Sequence, residues 1–156
     1  MKNEVLKAAL TFWSNGDPLK AGRLIYDRIP NDDRPAWAGN ILRFCSRPIP
    51  PVPEIETVLE IAFDRSRWKQ AHAAFSNVRT LTLAHEKAGA PDLPAGGILY
   101  LAENTAKVCY NASGEPAPFD EDSGCWIVEN ARYLADNSAN SEFESKVWSL
   151  ICDGVE

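Results

Sequence analysis

DRSRWKQAHAAFSNVRTLTLAHEKAG, from Asp64 to Gly89, is the stretch whose reading decides the fold. At about 100° per residue, Trp68, His72, Phe75, Arg79, Thr82 and Leu83 share one side of a helix. Ala73, Ala74, Val78, Leu81 and Ala84 lie elsewhere around it. Apolar or small groups therefore occupy most of the circumference, which predicts a single helix over 64–89 packed at the centre of a bundle. Its ends are marked. Asp64 or Ser66 can cap the N-terminus, His85 and Lys87 suit the negative end of the helix dipole, and Gly89 followed by Pro91 stops it.

Working outward, helical periodicity recurs and no sustained strand-like alternation appears. Asn3 to Trp13 reads as a helix with Val5, Leu6, Ala9, Leu10 and Trp13 inward. Asp17-Pro18 opens a second, with Gly22, Ile25, Tyr26 and Ile29 as its stripe, and Asp33-Arg34-Pro35 opens a third bearing Trp37, Ile41, Phe44 and Cys45. The proline-rich run Cys45–Pro53 must be extended and reads as a rigid spacer rather than a ligand for an SH3-like groove. Glu54 to Phe63 buries Ile55, Val58, Leu59 and Ala62. After Ala90–Gly97, a loop and helix start, a helix from about Ala95 to Tyr110 carries the small residues Ala102, Thr105 and Ala106, which let another helix approach closely. A helix bearing Trp126, Ile127, Ala131 and Leu134 follows, and a capping box of Ser141 with Glu144 opens the last one. The expectation is an all-α fold: one domain over 1–156, a compact bundle of about seven to eight mostly antiparallel helices around a central helix 64–89.

Charge is unevenly distributed. Residues 1–87 carry 13 Lys and Arg against 10 Asp and Glu, and residues 88–156 carry 3 against 12, so balances of +3 and −9 make up the net −6. A nucleic-acid partner is disfavoured, because phosphate contact needs clustered cations. Apolar runs are too short for a membrane span, and no secretory signal is recognisable, so a cytoplasmic protein is expected. Cys45, Cys109, Cys125 and Cys152 are far apart and form no C-x-x-C pair, which reads as free buried thiols.

Familiar catalytic and metal motifs are absent, and neither a metal nor a cofactor is implied. Asp120-Glu121-Asp122-Ser123-Gly124 fails as a calcium loop, with Gly124 at the fifth position and Ala131 at the twelfth. Glu54, Glu56 and Glu60 do not share a face and lack the paired E-x-x-H of di-iron bundles. His72, in the stripe with Trp68 and Phe75, reads first as a core histidine. All five tryptophans stand at apolar helical positions, with Trp126 the one selected as a pocket wall.

Arg67 and His72 are spaced R-x4-H, and Arg79 and His85 R-x5-H. These spacings resemble the R-x4–6-H signature of HEPN-type ribonucleases, themselves small helical bundles. The resemblance implies an arginine and a histidine meeting at a dimer cleft and acting on an RNA phosphodiester. Trp68 stands where that family usually has a polar residue, and the overall acidity opposes an RNA substrate.

Two functions follow. The favoured one is a non-enzymatic module that binds a protein partner through its acidic C-terminal surface and the loop Asn111–Gly124, with Glu115, Asp120, Glu121 and Asp122 as contacts. The alternative is an enzyme or small-ligand site formed by Trp68, His72, Arg79, Tyr110, Asn111, Asp120 and Trp126, with His72 as acid or base and Arg79 as the anion contact.

Overall fold

A computed structural model describes residues 1–89 and 93–156. Among them are eight α-helices: α1 (Lys2–Ser14), α2 (Pro18–Tyr26), α3 (Arg34–Cys45), α4 (Pro53–Ala62), α5 (Ala71–Lys87), α6 (Leu93–Ala112), α7 (Ser123–Asp136) and α8 (Ser141–Asp153). No strand occurs among the described residues, so the fold is all-α as the periodicity predicts. Pro91, the expected helix stop, and the start of the loop Ala90–Gly97 lie outside the described residues.

The N-terminal punctuation acts as read at α2, whereas at α3 the Asp33 side chain makes no capping hydrogen bond and a 3-10 turn, Asn31–Asp33, leads into the helix. The Asp17 carboxylate accepts from the Lys20 amide at 3.4 Å to open α2, and prolines occupy the first positions of α2, α3 and α4. The proline-rich connector turns over residues 46–48 before running extended to Val52.

Four expectations need correction. The stretch 64–89 is not one α-helix: Asp64 caps a 3-10 segment, Arg65–Gln70, before α5 begins at Ala71. Periodicity cannot separate these forms, because a short 3-10 turn also repeats near three residues. The central position belongs to α6, which packs against α3, α4, α5 and α7. Between residues 95 and 112 only Tyr100 is exposed, whereas α5 buries only Ala71, Ala74, Val78 and Thr82. In α1, Ala9 and Trp13 are buried but Leu10 is 44% exposed. Finally, Asn140, not Ser141, caps α8, accepting from the Glu142 amide at 3.0 Å. Glu144 is instead drawn across to the Trp13 indole N–H at 3.3 Å.

Close helix contacts explain two glycines. A Cβ on Gly22 of α2 would stand 3.0 Å from the Cys125 carbonyl oxygen and from the Val128 Cβ of α7. One on Gly124 would enter the Tyr26 ring at 2.3 Å. Glycine therefore lets α7 lie directly on α2, and this fixes which side of α7 remains outside.

Candidate functional site

Helices α5, α6 and α7 form a layer in which both neighbours run antiparallel to α6. The contacts of Glu103 with Arg79 and Thr82, and of Tyr100 with Glu86, set the register on α5. The Asn104–Asn130 bond and the approach of Gly97 to Tyr133 set it on α7. Along the outward stripe of α6 stand Tyr100, Asn104, Lys107 and Asn111, spaced as one helical face requires.

One end of this layer is aromatic. The His72 ring stacks on Phe119 with centroids 5.1 Å apart and meets Tyr110 edge-on at 5.2 Å. Phe75 packs against Phe119 at 4.9 Å, and the Lys107 ammonium lies 5.1 Å from the Phe75 ring and 5.8 Å from Phe119. Such contacts combine apolar burial with attraction between the ring faces and the cation.

Phe119 belongs to the loop between α6 and α7, and Asn111 holds it there like a missing strand. Its amide donates to the Phe119 carbonyl at 3.1 Å, and its oxygen accepts from the Phe119 N–H at 2.8 Å. The Tyr110 hydroxyl donates to the Pro116 carbonyl at 3.0 Å. Ala117 adopts φ 59°, a left-handed conformation that is costly for a non-glycine residue and is held by these anchors.

The seven candidate pocket residues separate accordingly. His72, Tyr110, Asn111 and Asp120 come together, Arg79 lies two turns along α5, and Trp126 stands across on α7, 44% exposed. Trp68 does not join them: it is 5% exposed inside the bundle, beneath Arg65, and its indole N–H has no partner among the described residues. His72 is exposed, not a core histidine, because the stripe it shares with Phe75 faces the layer's outer surface. Arg79 is held at 3.4 Å by Glu103, a carboxylate only 5% exposed that also accepts from the Thr82 hydroxyl at 2.6 Å. Arg67 donates to Glu60 and Gln70. Both arginines of the R-x4–6-H spacings are thus committed to carboxylate or amide partners.

The acidic loop is dispersed. Asp122 pairs with Arg23 at 3.5 Å, and Asp120 accepts from the Asp122 amide at 2.9 Å. Glu115 and Glu121 are open to solvent. Among the described residues no group of three or more His, Cys, Asp or Glu could hold a metal ion. The thiols are poor nucleophiles: burial pushes Cys45 and Cys109 up to about 12 and Cys125 and Cys152 up to about 11.

Two concavities lie away from this aromatic end. One of about 710 Å³ opens beside Phe44, Phe143 and Lys146. Another of about 350 Å³ lies between the start of α2 and Glu129, Arg132 and Tyr133 of α7.

Sequence reasoning missed Phe119, whose signal was a lone aromatic in a loop otherwise of acids, prolines and small residues. It also missed Tyr100 and Tyr133. Among the described residues no helix is long and apolar enough to cross a membrane. Comparison with protein-family models, with curated proteins and with solved structures finds no match for this chain.

Proposed function

We propose that this chain is a helical module that binds a protein through the layer of α5, α6 and α7, with the acidic loop at its rim. One observation carries the reading. Of the seven large apolar or aromatic side chains exposed among the described residues, four lie on this layer: Leu83, Tyr100, Trp126 and Tyr133. Exposed apolar side chains scattered singly need no explanation, but a concentration on one face marks a contact surface. Glu115 and Glu121 at the rim, within the half of the chain that carries the −9 balance, favour approach of a basic surface.

Catalysis or small-ligand binding at His72 and Arg79 has less support. His72 is open to solvent, and the Arg79 guanidinium is engaged by a buried carboxylate. The R-x4–6-H spacing gains nothing from arginines turned to other partners.

The test is affinity capture with the wild-type chain, with Trp126→Arg, and with Asp120→Asn, Glu121→Gln and Asp122→Asn combined. A protein retained by the wild type and lost with Trp126→Arg supports the reading. A set of retained proteins identical for all three baits overturns it.

A further inference from the structure

We propose that the cleft between α5 and α6 lined by His72, Phe75, Lys107, Tyr110 and Asn111 is a docking site for an extended segment of a partner protein, an aromatic residue followed by an acid, and that the α6–α7 loop fills it in cis through Phe119. The cleft lies at the opposite end of the layer from Leu83, Tyr100 and Tyr133, and docking there goes beyond the contact-surface reading.

The polar grip is on main chain. The Asn111 amide donates to the Phe119 carbonyl at 3.1 Å and accepts from the Phe119 N–H at 2.8 Å, a pairing open to any extended residue. The Tyr110 hydroxyl donates to the Pro116 carbonyl, three residues before the aromatic. What is read as a side chain is the ring: it stacks on His72 at 5.1 Å and meets Phe75 and Tyr110 edge-on at 4.9 and 5.6 Å. A backbone clamp beside a pocket for one side chain is how extended peptides are recognised.

Three features make the cis segment replaceable. Phe119 is half-buried and packs on the partly exposed Phe75 and Tyr110 and on exposed His72, so it leaves without opening the buried core. The loop returns from Ala112 of α6 to Ser123 of α7 with Ala117 at φ 59°, a cost of closure that a free segment does not carry. Lys107 lies over the Phe75 and Phe119 rings and joins none of the described ion pairs, while the Asp120 carboxylate turns back to the Asp122 amide at 2.9 Å. In a free segment the acid after the aromatic has no helix to enter and can reach Lys107.

The probe is the blocked peptide GEPAPFDED, residues 114–122 of the chain itself, titrated into the isotope-labelled full-length protein. Phe119→Ala vacates the cleft at a loop position, and it should bind the peptide about 10-fold more tightly than the wild type, the ratio expected if the cis loop is closed about nine-tenths of the time. The shifted signals should be those of His72, Phe75, Tyr110 and Asn111. Replacing the peptide's phenylalanine by alanine, or adding Asn111→Ala to Phe119→Ala, should abolish binding, whereas Tyr133→Arg at the far end of the layer should leave it unchanged. In the wild type, about 5 mM peptide should speed amide exchange at Phe119 by about 2-fold or more as the loop is displaced. Binding no tighter to Phe119→Ala than to the wild type, or indifferent to the peptide's phenylalanine or to Asn111, overturns the proposal. Unchanged wild-type exchange at Phe119 overturns it even if Phe119→Ala fails to fold.

Discussion

Replacing Gly124 by alanine tests whether α7 is positioned by contact with α2. The added Cβ would stand 2.3 Å from Cδ1 and Cε1 and 2.4 Å from Cζ of Tyr26, more than about 1 Å inside normal carbon–carbon contact. The ring is poorly placed to yield. Arg34 lies 4.1 Å over its face while donating to the Tyr26 and Ile29 carbonyls at 3.1 Å, and Trp37 packs at 5.6 Å. Overpacking of this kind costs about 3 kcal/mol, at the upper end of its usual range. Alanine recovers up to about 1 kcal/mol of helix propensity, leaving a net loss of about 2 to 3 kcal/mol. With a urea slope of about 2 kcal/mol/M, the unfolding midpoint should fall by about 1 to 1.5 M. The control is the double variant. Tyr26→Ala is itself costly, but with the ring gone Gly124→Ala should become neutral or slightly stabilising, a coupling of about 2 to 3 kcal/mol. A midpoint unchanged by Gly124→Ala, or the same loss in both backgrounds, would refute the account of the α2–α7 contact.

Three further outcomes follow from the same contacts. Asn111→Ala removes both bonds to the Phe119 backbone; it should cost about 1 to 2 kcal/mol and bring faster amide exchange at Phe119 and new protease cleavage near Ala117. Glu103→Ala should cost about 2 to 3 kcal/mol in urea unfolding, by loss of a charge-assisted network with Thr82 and Arg79, and Glu103→Gln should cost less. Burial raises Tyr26 from 10.0 to about 12 and Cys45 and Cys109 from 9.0 to about 12. The fold favours the protonated forms, so their stabilisation is complete below about pH 9 and is lost as pH rises towards 12. Unfolding free energy measured across that range should fall, and Tyr26→Phe should flatten part of the slope; a flat wild-type profile would contradict the burial of these groups.

Local signals in the sequence were good guides to where helices begin. Asp17-Pro18 and Arg34-Pro35 carry their own geometry, since proline presets the first turn, and at Asp17 a side-chain oxygen also meets a free amide. Asn140 and Ser141 both offer that oxygen; Asn140 takes the cap, and Glu144, the other half of the expected box, bonds Trp13, a partner far away in sequence. A helical wheel groups His72 with Phe75 correctly but says nothing about which way the group points. Both side chains meet Phe119, and a loop of acids and prolines hides that contact from periodicity. For the same reason α5, with small and apolar groups around most of its circumference, looked more central than α6, whose enclosure depends on four neighbouring helices.

Arg132 of α7 donates to the Trp13 carbonyl, covers the Trp13 ring at 4.9 Å and approaches Glu144 at 3.6 Å, while the Trp37 indole donates to the Ile151 carbonyl at 3.0 Å. The hydrogen bonds of Trp13 with Arg132 and Glu144, and of Trp37 with Ile151, join residues separated by more than 110 positions. Helical proteins usually fold fast because their contacts are local. Here the hydrogen-bond partners of Trp13 and Trp37 arrive only when α7 and α8 have been synthesised. A nascent chain would carry both indoles without those partners, so completion of the fold is a late event in which the C-terminal helix locks the N-terminal one.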